Sequence, residues 1–168
     1  RGLVDVYKRQ KETLDAMVDL MAKSGKINDV EVYRKGVYAR EEESTTGIGE
    51  GIAIPHGKCD AVTKPGLAAM VVKDGVDFDS LDGEPVTLMF LIAAPNTEDN
   101  VHLEVLSRLS MLLMDDEFRT NLLDAADVTE FLAHIDEAER KKFPEEYGEE
   151  KQTQDCLLYT SPSPRDGL

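Results

Sequence analysis

Residues that mark secreted and membrane proteins are scarce in this chain. Cysteine occurs at only two of 168 positions, Cys59 and Cys156, which lie too far apart in sequence to suggest a disulfide framework. The longest apolar run, residues 86–95, is about half as long as a membrane-spanning helix, and no charged-then-apolar leader opens the chain. We therefore expect a soluble cytoplasmic protein, in a reducing compartment, that does not insert into a membrane.

Positive charge is also in short supply. Nineteen lysine and arginine residues stand against 34 aspartate and glutamate residues, which leaves a formal net charge of -15. Nucleic acid and anionic membranes would both repel such a surface, so the composition argues against them as partners. A protein partner that carries a basic patch suits this charge better.

The middle of the chain has the composition and periodicity of an ordinary folded domain. At 41% hydrophobic and 32% charged residues, the chain is globular in composition and long enough for one domain with a buried core. We expect the domain at residues 11–139 and a charged linker at residues 140–155. Residues 1–10 and 156–168 resemble translated adapter sequence and are predicted to be non-native, which implies that the natural domain has lost its first few residues.

Hydrophobic spacing predicts alternating helices and strands. Helices are expected at residues 11–23, 28–40, 101–114 and 117–123 and from 127 onward, the second capped by Asn28 with Glu31 and the last by Asp127 with Glu130. Strands are expected at residues 52–54, 66–72, 76–78 and 86–94, with a turn at 73–75 and the last strand in the centre of a covered sheet. The charge run Glu41–Glu43 is predicted to be a solvated turn. This alternation indicates an α/β sandwich with a mixed sheet and helices on its faces.

The most informative stretch is Gly47–Lys58, which reads GIGEGIAIPHGK. The three glycines among its first five residues permit positive φ angles and close backbone approach, a short buried strand follows, and a Pro-His-Gly turn is expected to end that strand. Pro55 restricts the backbone immediately before His56. A histidine held in this way suits a nucleophile, and a turn or half-buried histidine is the alternative.

We expect His102 and Arg40 to converge with His56 at the strand ends. His102 lies at a predicted helix N-terminus, where unpaired N–H groups and the helix dipole favour anions. The guanidinium of Arg40 matches phosphate oxygens, and Thr45 and Thr46 can donate hydroxyl hydrogen bonds from the glycine-rich turn. A neutral imidazole can attack phosphorus without a separate base. The set therefore predicts a phosphoryl group held on a histidine.

Other roles for these residues stay open on the sequence alone. His102 suits a capping or core position, and Arg40 suits a surface ion pair with Glu41–Glu43. His56 and Cys59 have the spacing of a metal pair but lack a convincing second pair, so a metal-dependent hydrolase is only a distant alternative. No cofactor is expected, because Arg40 and the helix end supply the positive potential. The glycine stretch fits neither a phosphate-binding P-loop nor a dinucleotide fingerprint.

Two segments resemble the signature of a known family. Residues 40–58, REEESTTGIGEGIAIPHGK, and residues 94–109, APNTEDNVHLEVLSRL, are similar to the two histidine regions of the fructose/mannitol-type enzyme IIA domain. That domain belongs to the bacterial phosphoenolpyruvate-dependent sugar phosphotransferase system (PTS). The resemblance covers about residues 11–139 and implies an α/β sandwich, with helices flanking a roughly five-stranded mixed sheet. The chain departs from the family pattern at its start, where residues 1–10 replace an expected first strand.

The resemblance also implies roles and partners. It implies that His56 receives a phosphoryl group from the histidine phosphocarrier protein HPr and passes it to a cysteine of an enzyme IIB domain. His102 and Arg40 would stabilise the group during transfer, in a system most similar to the fructose type. The alternative is a nitrogen-regulatory enzyme IIA, which has nearly the same signature but acts as a phosphorylation-switched interaction module. The charged stretch after residue 138 favours the transport role, because it resembles a linker towards further domains.

Overall fold

Helices and strands alternate along the chain, as the hydrophobic spacing predicts. The computed structural model describes the backbone of residues 3–97, 101–143 and 157–160, and the side chains of residues 9–97 and 103–143. Within these ranges the order is α1 (Leu3–Ala22), α2 (Val30–Glu43), β1 (Gly47–Gly49), β2 (Ile52–Ala53), β3 (His56–Cys59), β4 (Gly66–Val76), β5 (Val86–Pro95), α3 (Val101–Leu113), α4 (Asp116–Asp124), α5 (Val128–Lys142) and β6 (Leu157–Thr160).

The sheet is organised around β5. Both β2 and β3 pair with β5 in parallel along one side, and β4 pairs with it antiparallel along the other. The hairpin partner of β2 is β1, and β6 pairs in parallel with β4. The described residues thus form one six-stranded mixed sheet, in which β5 is central as predicted.

Alternate residues of β5 enter two separate hydrophobic cores. Met89 and Leu91 face α1 and α2, whereas Leu88, Phe90 and Ile92 face α3, α4 and α5. A strand covered on both faces is apolar throughout, which explains the long hydrophobic run in the sequence. The three-layer α/β sandwich is therefore confirmed. No helix of the described ranges combines the length and apolar character needed to cross a bilayer.

Several element boundaries differ from the prediction. Helix α2 has Asp29 as its N-cap, which accepts a hydrogen bond from the Val32 amide, while the amide of the predicted cap, Asn28, donates to the Ala61 carbonyl. Strand β4 continues through the predicted turn at 73–75. Its register against β5 shifts between Val71 and Val76, and Gly75 in this interval has φ +79°, so the chain forms an irregularity within the strand and not a turn. The predicted N-cap of α5 is confirmed, since Asp127 accepts from the Glu130 amide at 2.8 Å, but the Glu130 carboxylate accepts from the amide of Ala126 and not from that of the cap residue.

Regular secondary structure extends into both end segments of the chain. Helix α1 begins at Leu3, within the segment predicted to be non-native, and α5 extends to Lys142, into the predicted linker. The backbone of β6, which lies within the other segment predicted to be non-native, pairs with β4. The non-native origin of both ends stays a prediction.

Helix α2 lies close against β3 because Gly57 has no side chain. An ideal Cβ at this position would lie 2.9 Å from Tyr33 Cε1 and 3.1 Å from Val37 Cγ2. Tyr33 is fully buried, and its hydroxyl donates to the carbonyl of Ile92 in β5 at 2.9 Å. This anchor places the last turn of α2, which carries Arg40, beside the start of β3.

Candidate active site

His56 is the first residue of β3. The prediction of a Pro-His-Gly turn is wrong, because the chain leaves β2 at Ala53 and resumes pairing with β5 at His56, opposite Ile92. Pro55 has no N–H to donate to a ladder, but its carbonyl accepts from the Ile92 amide at 3.0 Å. The interruption is thus only local, and a strand rather than a loop holds the histidine backbone.

Both ring nitrogens of His56 face a polar group. Arg40 Nε lies 3.2 Å from Nε2, and the carbonyl oxygen of Ile54 lies 3.2 Å from Nδ1. Arginine is always a donor, so Nε2 is the acceptor and carries a lone pair, whereas Nδ1 carries the hydrogen and donates it to Ile54. The contacts therefore select one neutral tautomer, with Nε2 as the available nucleophilic atom. The predicted convergence of Arg40 and His56 is seen directly.

The surroundings of His56 favour this neutral form. Burial of the ring is the main cause that lowers the pKa of His56 from its ordinary value of 6.5, and the positive charge of Arg40 lowers the pKa further. The hydrogen bond to Ile54 and the carboxylate of Glu43 oppose the shift without reversing it. At neutral pH the ring is uncharged, which is the state that can attack an electrophile.

Arg40 is held by the end of its own helix. Its Nη1 atom donates to the carbonyl of Ser44 at 3.0 Å and lies 3.4 Å from the Ser44 hydroxyl. These contacts, together with that to His56, take the place of the alternative ion pair with Glu41–Glu43. Helix α2 continues to Glu43, so the prediction that the charge run is a turn is wrong.

The hydroxyl groups of Thr45 and Thr46 have partners within the protein. Thr45 donates to the carbonyl of Phe78 and accepts from the Gly47 amide at 3.0 Å. Thr46 donates its hydroxyl to Glu41 Oε1 at 2.5 Å, and its amide donates to Glu41 Oε2 at 2.9 Å. A direct phosphoryl contact from either threonine stays a prediction, and it requires a change of hydrogen-bond partner.

Glu41 is the member of this neighbourhood that sequence reasoning missed, since its carboxylate was expected to be solvated. The signal in the sequence was its position directly after Arg40, in the last turn of a helix that leads straight into Thr45 and Thr46. A carboxylate so placed can satisfy the backbone of the turn that follows the helix.

The second predicted histidine is described only by its backbone. His102 lies in the first turn of α3, the helix that follows β5, and its side chain is outside the described residues. Its role in phosphoryl transfer stays a prediction. Among the described residues, no three histidine, cysteine, aspartate or glutamate side chains are grouped so that they could hold a metal ion.

The fold and the site together define a class of protein. It is an α/β sandwich domain in which a neutral histidine on a strand directs the lone pair of Nε2 towards an arginine. Comparison with known families makes the assignment specific. The family model described as "Phosphoenolpyruvate-dependent sugar phosphotransferase system, EIIA 2" matches residues 3–138. The chain therefore belongs to the type-2 EIIA family of the PTS, and the match begins eight residues before the predicted domain start at residue 11.

Two curated relatives illustrate the two branches of similarity. The fructose-specific EIIABC component of Bacillus subtilis is 51% identical over 118 residues, which cover 70% of this chain and 19% of the relative. The chain thus corresponds to about a fifth of that relative's length. The nitrogen regulatory protein of Pseudomonas aeruginosa is 34% identical over 126 residues, which cover 74% of this chain and 82% of the relative.

A solved structure supports the fold independently. The complex of enzyme IIAMTL with phosphorylated enzyme IIBMTL from Escherichia coli contains a chain that matches with a TM-score of 0.66 and 28% sequence identity. The match covers 74% of this chain and 85% of that one. The expected α/β sandwich with a mixed sheet is that of the type-2 EIIA domains.

Proposed function

We propose that this chain is a cytoplasmic phosphocarrier domain of a fructose-type sugar uptake system. His56 accepts a phosphoryl group from an HPr-type histidine phosphocarrier and passes it to a cysteine of an enzyme IIB domain. The observation that carries the proposal is the 3.2 Å contact between Arg40 Nε and His56 Nε2, which presents a neutral ring nitrogen beside a permanent cation. Membership of the EIIA type-2 family and the fructose-specific relative support the direction of transfer and the class of sugar.

In the first step, Nε2 of His56 attacks phosphorus and forms a new P–N bond. The P–N bond to the donor histidine breaks, and the donor nitrogen takes the electron pair. The His56 ring keeps its Nδ1 hydrogen and gains positive charge, which the carbonyl of Ile54 stabilises at 3.2 Å. The pairing of β3 with β5 fixes the backbone of His56, and the contact with Ile54 orients its ring for the attack.

Arg40 changes partner during this step. Its Nε–H bonds the lone pair of Nε2 in the unphosphorylated protein, and this bond is lost when phosphorus takes that position. The guanidinium then donates to the phosphoryl oxygens, whose negative charge it matches with two N–H groups. His102 adds a hydrogen bond or charge from the first turn of α3. These groups supply the positive potential, and the step needs no cofactor.

In the second step, a cysteine thiolate of enzyme IIB attacks phosphorus, the S–P bond forms, and the bond to Nε2 breaks. The lone pair returns to Nε2, and the contact with Arg40 is restored. The E. coli relative's complex with phosphorylated enzyme IIB supports a partner of this kind. The charge of -15 on the chain favours partners with basic surfaces.

The direct test is labelling from radioactive phosphoenolpyruvate in the presence of enzyme I and HPr. We expect acid-labile, base-stable label on the wild-type protein and none on His56→Ala. His102→Ala should fold and transfer phosphate slowly, while His134→Ala, which alters a half-buried histidine on α5, is the matched control and should be labelled normally. Undiminished labelling of His56→Ala would overturn the assignment, and wild-type transfer by His102→Ala would restrict that residue to a structural role.

A nitrogen-regulatory role is the second candidate function. It is favoured by the similarity to the P. aeruginosa regulatory protein, which extends over 82% of that relative's length. Both roles require phosphorylation of His56, so the label alone does not separate them. Transfer of the label from His56 to a fructose-type enzyme IIB separates them, because the transport role requires this second step and the regulatory role does not.

A further inference from the structure

We infer that Glu41 is a positioning residue that holds the ring of His56 in the tautomer needed for attack. The kinetic part of this inference rests on the proposed phosphotransfer, whereas the structural part does not. Glu41 is half-buried in the last turn of α2, and both of its carboxylate oxygens accept hydrogen bonds from Thr46. Thr46 is only 5% exposed, so water cannot readily replace these bonds.

Two further hydrogen bonds connect Thr46 to His56. The carbonyl of Thr46 accepts from the Ile54 amide at 3.1 Å, and the carbonyl of Ile54 accepts from Nδ1 of His56 at 3.2 Å. Glu41 therefore holds Thr46 in place, and Thr46 in turn holds the Ile54 peptide, whose carbonyl bonds the His56 ring. Each link is a hydrogen bond of ordinary length between groups that are buried or half-buried.

Two adjacent residues of α2 thus act on opposite sides of the same ring. Arg40 contacts Nε2 directly, and Glu41 acts on Nδ1 through Thr46 and Ile54. The contact at Nδ1 selects the tautomer with its hydrogen on that atom, which leaves the lone pair on Nε2. Loss of the Glu41 carboxylate frees the turn at residues 44–47, so the Ile54 carbonyl no longer has a fixed position.

Three variants separate positioning from charge. Glu41→Ala removes both bonds to Thr46. Glu41→Gln keeps two bonds, because its amide oxygen accepts from the Thr46 amide and its NH2 group donates to the Thr46 hydroxyl. Glu42→Ala is the matched control, since Glu42 is the neighbouring residue and its side chain is exposed.

The first readout is nitrogen NMR of the His56 ring in the unphosphorylated protein. We expect the population with hydrogen on Nδ1 to fall in Glu41→Ala and to match wild type in Glu41→Gln and Glu42→Ala. The second readout is the single-turnover rate of transfer from phosphorylated HPr. Glu41→Ala should be slower by about tenfold, and Glu41→Gln should return to within about threefold of wild type.

Wild-type ring tautomer and transfer rate in Glu41→Ala would overturn the inference. So would a Glu41→Gln variant as impaired as Glu41→Ala, because charge rather than hydrogen bonding would then be responsible. If Glu41→Ala does not fold, Thr46→Val replaces it; this change removes one of the two bonds, and an unchanged tautomer and rate overturn the inference. If the wild-type protein accepts no phosphate, the proposed function fails, and the NMR measurement still decides the role of Glu41.

Discussion

Substitution of Gly57 by alanine should separate α2 from β3 and weaken both stability and phosphoryl transfer. The added Cβ would lie 2.9 Å from Tyr33 Cε1 and 3.1 Å from Val37 Cγ2, closer than carbon atoms normally approach. Tyr33 cannot move easily, because its side chain is fully buried and its hydroxyl is bonded to Ile92. Overpacking of this kind costs about 1–3 kcal/mol of unfolding free energy.

The same displacement acts on the candidate active site. Arg40 lies one helical turn after Val37, so a shift of α2 changes the distance between its guanidinium and His56 Nε2. Small misplacements of a catalytic group reduce rates strongly, and we expect phosphoryl acceptance to fall by about tenfold or more. Urea unfolding measures the first effect, and the initial rate of labelling measures the second.

Gly36 provides the matched control. It lies within the same helix, and an added Cβ would meet nothing within 4 Å. Alanine is a better helix former than glycine, so Gly36→Ala should stabilise the protein by about 0.5–1 kcal/mol without slowing transfer. A Gly57→Ala protein that unfolds at the wild-type urea concentration and is labelled at the wild-type rate would contradict the packing argument.

Four further outcomes are expected from the described contacts. The initial rate of His56 phosphorylation should be independent of pH at neutral and higher pH and should fall only as the pH drops through the lowered pKa of His56, because the neutral ring is the nucleophile. In Arg40→Ala the fall in rate at low pH should begin at a higher pH, since removal of the cation raises the pKa of His56. Both proteins are compared with the same preparation of phosphorylated HPr, and an unchanged pH dependence would contradict the role of Arg40 in lowering the pKa of His56. Tyr33→Phe should lose about 1–2 kcal/mol of unfolding free energy, because the Ile92 carbonyl loses a buried donor, and unchanged urea unfolding would argue against that bond. Arg34→Met should reduce the unfolding free energy by about 1 kcal/mol, because the ion pairs of Arg34 with Asp15 and Asp19 connect α2 to α1. High salt should make this reduction smaller, and a reduction that does not depend on salt would indicate lost packing instead of lost ion pairs.

Local patterns predicted much of the architecture. The spacing of Leu14, Met17, Val18 and Met21 indicates an amphipathic helix, and all four side chains are buried in α1. The uninterrupted apolar run of β5 indicates a strand covered on both faces, since only a central strand buries both sets of alternate residues. Apolar spacing does not guarantee burial at every helix position, since Val128, the first residue of α5, is 45% exposed.

Local sequence patterns predicted the helices, the central strand and a site that includes His56 and Arg40, although they left other roles for these two residues open. These conclusions depend on periodicity, on restricted dihedral angles and on the chemistry of individual side chains, all of which are local properties. Three facts emerge only from the folded chain: His56 belongs to a strand, Thr46 bonds Glu41, and Arg40 and Ile54 contact different nitrogens of one ring. Those facts depend on the register of β3 against β5 and on how closely α2 approaches Gly57. Register and approach are set by packing between segments that are distant in sequence, which no local pattern specifies.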